Sequence, residues 1–337
     1  MKAIRIDGQT PGGKRTNLAQ ALPLDTPYIV QVFPVYACNF SCEYCIHSVP
    51  LNERSYIADK KMLELGVYKK CIDDLTRFPQ PIKMLRFAGT GEPLLHPNIT
   101  EMVAYAKEKG VAKSIDIVTN GALLTKKLAD KLISAGLSKL RISIQGVTEK
   151  QYKNITQREV NLEELVQNIS YFYKNRKETQ VYIKIIDCAI EKNEETLFFD
   201  MFGDICDTIA IEHLLPAVPQ IDYKSKFNVT THAVTQNGNK LLETQVCPQP
   251  FYMMQINPEG NIVPCCAMET TTILGNCTEV SLYDIWNGKE FNSFRLKQLS
   301  NQKNEYPICR TCSQYRYMMS EEDLLDKEVK RLIDFYL

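Results

Sequence analysis

CNFSCEYC, residues 38–45, puts three cysteines into eight residues at x3 and x2 spacings, directly after the strand-like run YIVQVFPV (28–35). Clustered thiolates are soft ligands, suited to zinc, copper(I) or an iron-sulfur cluster. Structural zinc takes four ligands, and His47 in the adjoining CIH would complete a Cys3His set. A 4Fe-4S cluster held through three of its irons has no need of a fourth protein ligand. It keeps one iron open for a cofactor or substrate, whereas four-cysteine ligation makes an electron carrier.

Outward from this loop, strands and helices alternate. KMLRFAG, SIDIVTNG, KLRISIQG, QVYIKIID and DTIAIEHL read as five further strands. KKMLELGVYKKCIDDLTRF, HPNITEMVAYAKEKG, LTKKLADKLISAG and NLEELVQNISYFYKNR carry apolar residues at helical intervals, the second closing on Gly110. Six strands interleaved with helices predict right-handed βαβ units and a parallel sheet, open or curled into a partial barrel. Chemistry in such sheets collects where the loops leave the C-terminal strand ends. Four motifs fall on that rim: CNFSCEYC after the first strand, GTGEP (89–93) after the second, TNG (119–121) after the third, and Ser143 with Gln145 closing the fourth.

The period-two alternation says what faces inward. Arg141, Ser143 and Gln145 share one face of their strand, and Tyr182 and Lys184 lie opposite Val181, Ile183 and Ile185. Arg86 and Glu212 join the inward set. These side chains read either as salt-bridged fillers of a barrel interior or, taken together, as the lining for a polar substrate.

Composition narrows the function. At 337 residues the chain suits one large and one smaller domain: a lead-in over 1–27, an α/β body over 28–215, a connection over 216–246, and a second α+β unit with a closing helix over 247–337. Its 40 basic and 40 acidic residues balance, so no basic field gathers nucleic acid or anionic membrane. The N-terminus lacks a signal-peptide core, and no run approaches the roughly 18 apolar residues of a membrane span, which points to the cytoplasm. In a reducing compartment twelve cysteines are not a disulfide framework. Cys71, Cys188 and Cys206 stand alone and read as small buried hydrophobes.

CNFSCEYC, with its aromatic residue before the last cysteine, AGTGEPLLHP (88–97) and RISIQG (141–146) resemble, in order and position, the cluster loop, the Gly-Glu-Pro motif and the ribose-contacting fourth strand of the radical S-adenosylmethionine (SAM) superfamily. The resemblance covers about residues 29–214 and implies a partial (β/α)6 barrel. It also implies a 4Fe-4S cluster on Cys38, Cys42 and Cys45, whose open iron chelates SAM and whose electron splits the sulfonium to a 5′-deoxyadenosyl radical. By the same resemblance, Glu92, or the backbone carbonyls of Gly89, Thr90 and Gly91, faces the methionine ammonium of SAM, Ser143 and Gln145 its ribose, and Asn120 belongs to the cofactor site. Thr90 stands where the family often has glycine, and Gln145 where it often has an acid.

A second set, Cys247, Cys265, Cys309 and Cys312, is spaced x17, x43 and x2. By spacing, a zinc ribbon accounts for it. CPQPFYMMQINPEGNIVPCC (247–266), ILGNCTEVSLYDIW (273–286) and CRTC (309–312) look like the auxiliary-cluster domain called SPASM, in its shortened one-cluster "twitch" version. That resemblance implies a fully thiolate-ligated auxiliary 4Fe-4S cluster that transfers electrons. Cys266 and Cys277 are each read first as structural thiols; a fifth ligand, or a hydrogen-atom donor to a substrate radical, are the alternatives, with Cys266 the one to mutate. The expected function is a radical SAM oxidoreductase or epimerase acting on a sugar, aminosugar or cyclitol, reduced by a flavodoxin or ferredoxin. A ribosomal peptide is the competing substrate, although only some 27 residues precede the first strand, short for a leader-binding domain. The reading from another class is a non-catalytic scaffold with two zinc sites.

Overall fold

A computed structural model describes residues 1–6, 15–54, 60–227, 234–269 and 271–337. The six expected strands are present: β2 (Ile29–Val32), β3 (Ile82–Phe87), β4 (Ala112–Thr119), β5 (Lys139–Ile144), β6 (Gln180–Ile186) and β7 (Thr208–Glu212). They pair parallel in chain order, and the sheet stays open. Their outward faces (Val30, Leu85, Ile117, Ile142, Ile183 and Ile209 among them) are buried beneath helices that contribute Tyr68, Met102, Leu132, Ile169, Phe172 and Phe202. Burial on this scale, at about 1.5–3 kcal/mol for each large apolar side chain, fixes register, because a one-residue slip would turn each buried row into the interior.

The sheet extends past the barrel strands on both edges. β1 (Ile4–Arg5), inside the stretch read as a lead-in, adds parallel to β7. On the other edge β8 (Met253–Ile256) adds parallel to β2, and β9 (Asn261–Val263) and β10 (Gly275–Asn276) follow antiparallel. The turn at Pro258-Glu259-Gly260 reverses the chain, with Gly260 at φ +81°. The strand pair that leads into Cys265 is therefore continuous with the barrel sheet, on the edge strand that leads into Cys38.

Helix limits differ from the periodicity at three places. The helix expected from Lys60 begins only at Leu65, because Met62 bridges antiparallel to Val35. SLYDIWNGKEFNSFRLKQL (281–299), whose spacing predicts one helix, divides into Leu282–Trp286 and Lys289–Leu299 at Asn287-Gly288. At the C-terminus only Val329–Tyr336 is α-helical, preceded by two short 3-10 turns. Gly110 does close its helix, in the left-handed conformation that favours glycine there. Among the described residues no helix is long and apolar enough to cross a membrane.

Candidate active site

The three-cysteine loop is pinned by backbone, independently of its thiols. Ser41 and Glu43 donate their N–H groups to the carbonyls of Thr156 and Ile155 at 2.9 Å each, at the end of the helix Glu149–Thr156. Phe40 is buried edge-on against Tyr152. The Tyr44 hydroxyl donates to Oε1 of Gln145, and its carbonyl accepts from the Tyr223 hydroxyl at 2.9 Å. His47, the candidate fourth zinc ligand, instead places Nε2 against the Thr90 carbonyl.

GTGEP lies directly beneath this loop. Gly91 runs so close to the chain leaving β2 that an added Cβ would stand 2.0 Å from the Val35 carbonyl oxygen and 2.9 Å from that of Ala37. Gly89, at φ +132°, occupies a conformation L-residues rarely adopt, over the Phe33 ring. Glu92 is wholly buried, and its carboxylate accepts from the backbone N–H groups of Leu94 (3.0 Å) and Asn120 (2.8 Å) and from the Thr119 hydroxyl (2.6 Å). Burial pushes its pKa up, and those three donors work against the rise. Glu92 thus bolts the β3 turn to the β4 turn. Asn120 reaches the other way, donating to Oδ1 of Asn39 at 2.8 Å with its Nδ2 3.9 Å from the Cys38 sulfur. Gln145 donates its amide to the Ser143 carbonyl at 3.1 Å, and Ser143 stands beside Lys184 in the β5–β6 register. We expect Gly91→Ala to weaken SAM binding about tenfold or more while leaving iron content unchanged, measured by equilibrium dialysis, since the added methyl pries the glycine turn from the cluster loop.

The interior of the sheet is polar, as the alternation predicts. Its organiser is Asp116, a residue the sequence reading passed over. It is fully buried on β4 and accepts from Arg141 Nε at 3.1 Å, with Arg86 Nη2 at 3.8 Å. The signal was available: Asp116 lies two strand periods before Asn120, on the same face. Burial, reinforced by the neighbouring Arg141 charge, lowers Arg86 to about 10. Higher in the interior, Glu212 receives both Lys184 and the Tyr182 hydroxyl, the latter at 2.9 Å. Arg86, Arg141 and Lys184 face Asp116 and Glu212, with Lys139 near Asp116, and Nε of Arg86 and Nη2 of Arg141 are buried without a hydrogen-bond partner.

Topology places the second cysteine set. β9 runs antiparallel to β8, so Cys265, two residues after it, is delivered to the end of the sheet opposite the rim where Cys38 follows β2. Cys247 precedes β8 and lies at that same end, and Cys309 and Cys312 close in from the short helix Pro307–Thr311. All four line one pocket, together with Gln249, Gln298 and Lys303. Cys266 faces elsewhere: its N–H and thiol approach Oε1 of Gln249 at 3.3 and 3.6 Å, and it lies near enough to Arg86 for that charge to stabilise its thiolate. Cys277 is remote from the pocket, buried in the main core against Cys71, with which it shares a thiol–thiol hydrogen bond.

Both sets fit iron-sulfur ligation. Each is all-thiolate, and burial pushes the bare thiols up, Cys38 and Cys309 to about 11, with Cys42, Cys45, Cys247, Cys265 and Cys312 also raised. A coordinated metal reverses that, because a ligating thiol is deprotonated outright. Among the described residues no three His, Cys, Asp or Glu side chains converge closely enough to hold a single ion. The four sulfurs of the second set line a shared pocket, which fits a multi-iron cluster.

Known proteins agree with this geometry. The profile of the Radical SAM superfamily matches residues 32–196, and that of the SPASM iron-sulfur cluster-binding domain matches 247–313. The tungsten-containing aldehyde ferredoxin oxidoreductase cofactor-modifying protein of Pyrococcus furiosus is 24% identical over 315 residues, covering 82% of this chain and 84% of that protein. A GTP 3',8-cyclase of Chlorobaculum tepidum is 32% identical over 130 residues, covering 39% of this chain and 36% of its own. Among solved structures, BtrN in complex with AdoMet and 2-DOIA superposes with a TM-score of 0.57 at 18% identity, covering 88% of this chain and 96% of BtrN. SuiB of Streptococcus suis bound to precursor peptide SuiA superposes with a TM-score of 0.62 at 13% identity, covering 90% and 77%. Three thiolates at the rim of an open parallel barrel, four more in an appended domain, and both matched profiles lead to one conclusion: the chain belongs to the radical SAM superfamily and carries a SPASM iron-sulfur cluster-binding domain.

Proposed function

We propose that this radical SAM enzyme removes a hydrogen atom from a carbon of a polar small molecule, a sugar, aminosugar or cyclitol, and completes either a dehydrogenation or an epimerisation. The observation that carries this reading is the polar interior set between the two thiolate sets: Asp116 with Arg86 and Arg141, and Glu212 with Lys184 and Tyr182. When bound, SAM at the three-thiolate cluster supplies a hydrogen-abstracting radical, and the auxiliary cluster supplies a one-electron acceptor. The chain's own part is positioning and proton handling. Arg86 and Arg141, fixed by Asp116, hold oxygens of the substrate, and the glycine turn with Ser143 and Gln145 seats the cofactor. For the dehydrogenation, the auxiliary cluster that Cys247, Cys265, Cys309 and Cys312 would hold would supply the one-electron acceptor; the substrate hydroxyl proton goes to Glu212 by way of Lys184, which gives a proton to the carboxylate as it takes the substrate's, leaving a ketone. The epimerisation would draw on Cys266, which lies within reach of the Arg86 charge: its S–H would return a hydrogen atom to the opposite face of the carbon.

Lys184→Met separates positioning from cofactor cleavage. It should leave SAM cleavage measurable and lower product formation by about 10²–10⁴-fold, read as the ratio of 5′-deoxyadenosine to product. The reading itself is tested by anaerobic incubation of reconstituted protein with SAM, dithionite and a panel of aminosugars and cyclitols in deuterated water. Solvent deuterium in the product marks epimerisation, and loss of two hydrogens marks dehydrogenation. Stimulation of deoxyadenosine release by peptides and by none of the polyhydroxylated compounds would sink this substrate class.

A further inference from the structure

The auxiliary pocket is lined by an amide that no hydrogen bond completes among the described residues. Gln298 lies on the helix Lys289–Leu299, is 1% exposed, and lines the pocket with Cys247, Cys265, Cys309 and Cys312. Its Nε2 and Oε1 are both buried without a hydrogen-bond partner. Leaving a buried amide unpaired is costly, so such a group ordinarily faces something that completes it. The helix gives it little freedom to turn away. One turn earlier, Arg295 is buried and donates to the carbonyls of Pro250 at 3.0 Å and Trp286 at 2.9 Å, and Phe291 and Phe294 are buried alongside.

The other polar groups around the pocket are already engaged. Lys303 donates to the Gln245 carbonyl at 2.8 Å and the Tyr315 hydroxyl at 3.0 Å. The Thr271 hydroxyl is 3.7 Å from the Cys265 sulfur, and Gln249 takes the Cys266 N–H. Gln314 reaches the Met318 sulfur at 3.8 Å. Of the four sulfurs lining the pocket, that of Cys309 is near enough for the Gln298 amide to reach.

We propose that Gln298 donates its side-chain N–H to the Cys309 sulfur and the cluster it ligates, as a positioning residue that raises the potential at which the auxiliary cluster accepts an electron. Hydrogen bonds to cluster sulfurs stabilise the more negative, reduced state and are a main determinant of iron-sulfur potentials. A cluster tuned upward is a better acceptor for the electron of a substrate radical, so Gln298 favours the oxidative outcome. This inference rests on the auxiliary-cluster reading of the pocket.

The test uses the full chain with Cys38, Cys42 and Cys45 all replaced by alanine, reconstituted anaerobically, so that the auxiliary cluster alone contributes to a redox titration followed by electron paramagnetic resonance. Gln298→Met, close in volume but without an N–H, should make reduction about tenfold less favourable, a midpoint lower by about 59 mV for one electron. Gln298→Glu keeps the shape, replaces the donor with an oxygen, and should lower the midpoint at least as far. If the methionine variant fails to hold iron, the glutamate variant decides on the same scale. Iron-replete variants whose midpoints match that of Gln298-containing protein overturn the proposal. Failure of the Gln298-containing protein itself to hold iron overturns the auxiliary-cluster reading instead.

Discussion

Cys42→Ala abolishes reductive cleavage of SAM: 5′-deoxyadenosine falls to background, and iron falls from about eight to about four per chain. Cys42 is the middle ligand of the set, and burial, aided by the adjacent Cys45 and Cys38 thiolates, holds its own thiol far from ionising without a metal. Removing it takes away one of the loop's three thiolates, and His47, the candidate replacement, is turned to the Thr90 carbonyl. The loss should be confined to ligation. The loop is held by the 2.9 Å bonds from Ser41 and Glu43 to the helix behind it and by buried Phe40, none of which involves the thiol. The variant's unfolding midpoint without metal should therefore match that of the metal-free parent, and the auxiliary cluster should persist. Deoxyadenosine output equal to the parent's would remove the three-thiolate cluster from the mechanism.

Asp116→Ala is expected to have the largest effect on stability. It removes the one carboxylate that Arg141 and Arg86 share at the centre of the sheet, where Arg141 is 8% exposed and Asp116 not at all. Breaking a buried ion pair by deleting one partner leaves uncompensated charge and costs about 3–5 kcal/mol. Two guanidiniums would be stranded here, so the upper part of that range is expected, read from the denaturant midpoint of metal-free protein. Asp116→Asn keeps an acceptor for Arg141 Nε while removing the charge, and should cost less. A loss under about 1 kcal/mol for the alanine variant, the size of an exposed pair, would mean that the interior is wet enough to solvate both arginines.

Much of this architecture is legible in the residues themselves. The period-two runs locate all six barrel strands, and the rim loops fall where strand ends put them, because parallel β-strands buried on one face leave apolar rows that admit little ambiguity. The inward placement of Tyr182, Lys184, Arg141 and Glu212 follows from the same alternation. What sequence could not supply is pairing between distant positions. Glu92 looks like a cofactor ligand in its motif, yet three donors from two different loops have claimed it. Cys277 looks like a spare ligand beside the second cysteine set, yet the return of β10 packs it against Cys71 in the main core. Asp116 and Gln298 were missed because each gains its meaning from what surrounds it: an aspartate in a strand and a glutamine in a helix are unremarked until two arginines, or a ring of four sulfurs, close around them. The continuity of one sheet through β8 likewise depends on an edge pairing that no local pattern announces.

The central claim is that Cys38, Cys42 and Cys45 hold a cluster with one iron left free for SAM. Mössbauer spectroscopy of anaerobically reconstituted, ⁵⁷Fe-enriched protein tests it most directly, recorded with and without SAM. One iron subsite of one cluster should shift toward higher coordination when SAM is added, while the remaining irons, including all those of the auxiliary cluster, stay unchanged. A spectrum indifferent to SAM, or protein that binds stoichiometric zinc and no iron or sulfide, would contradict the account.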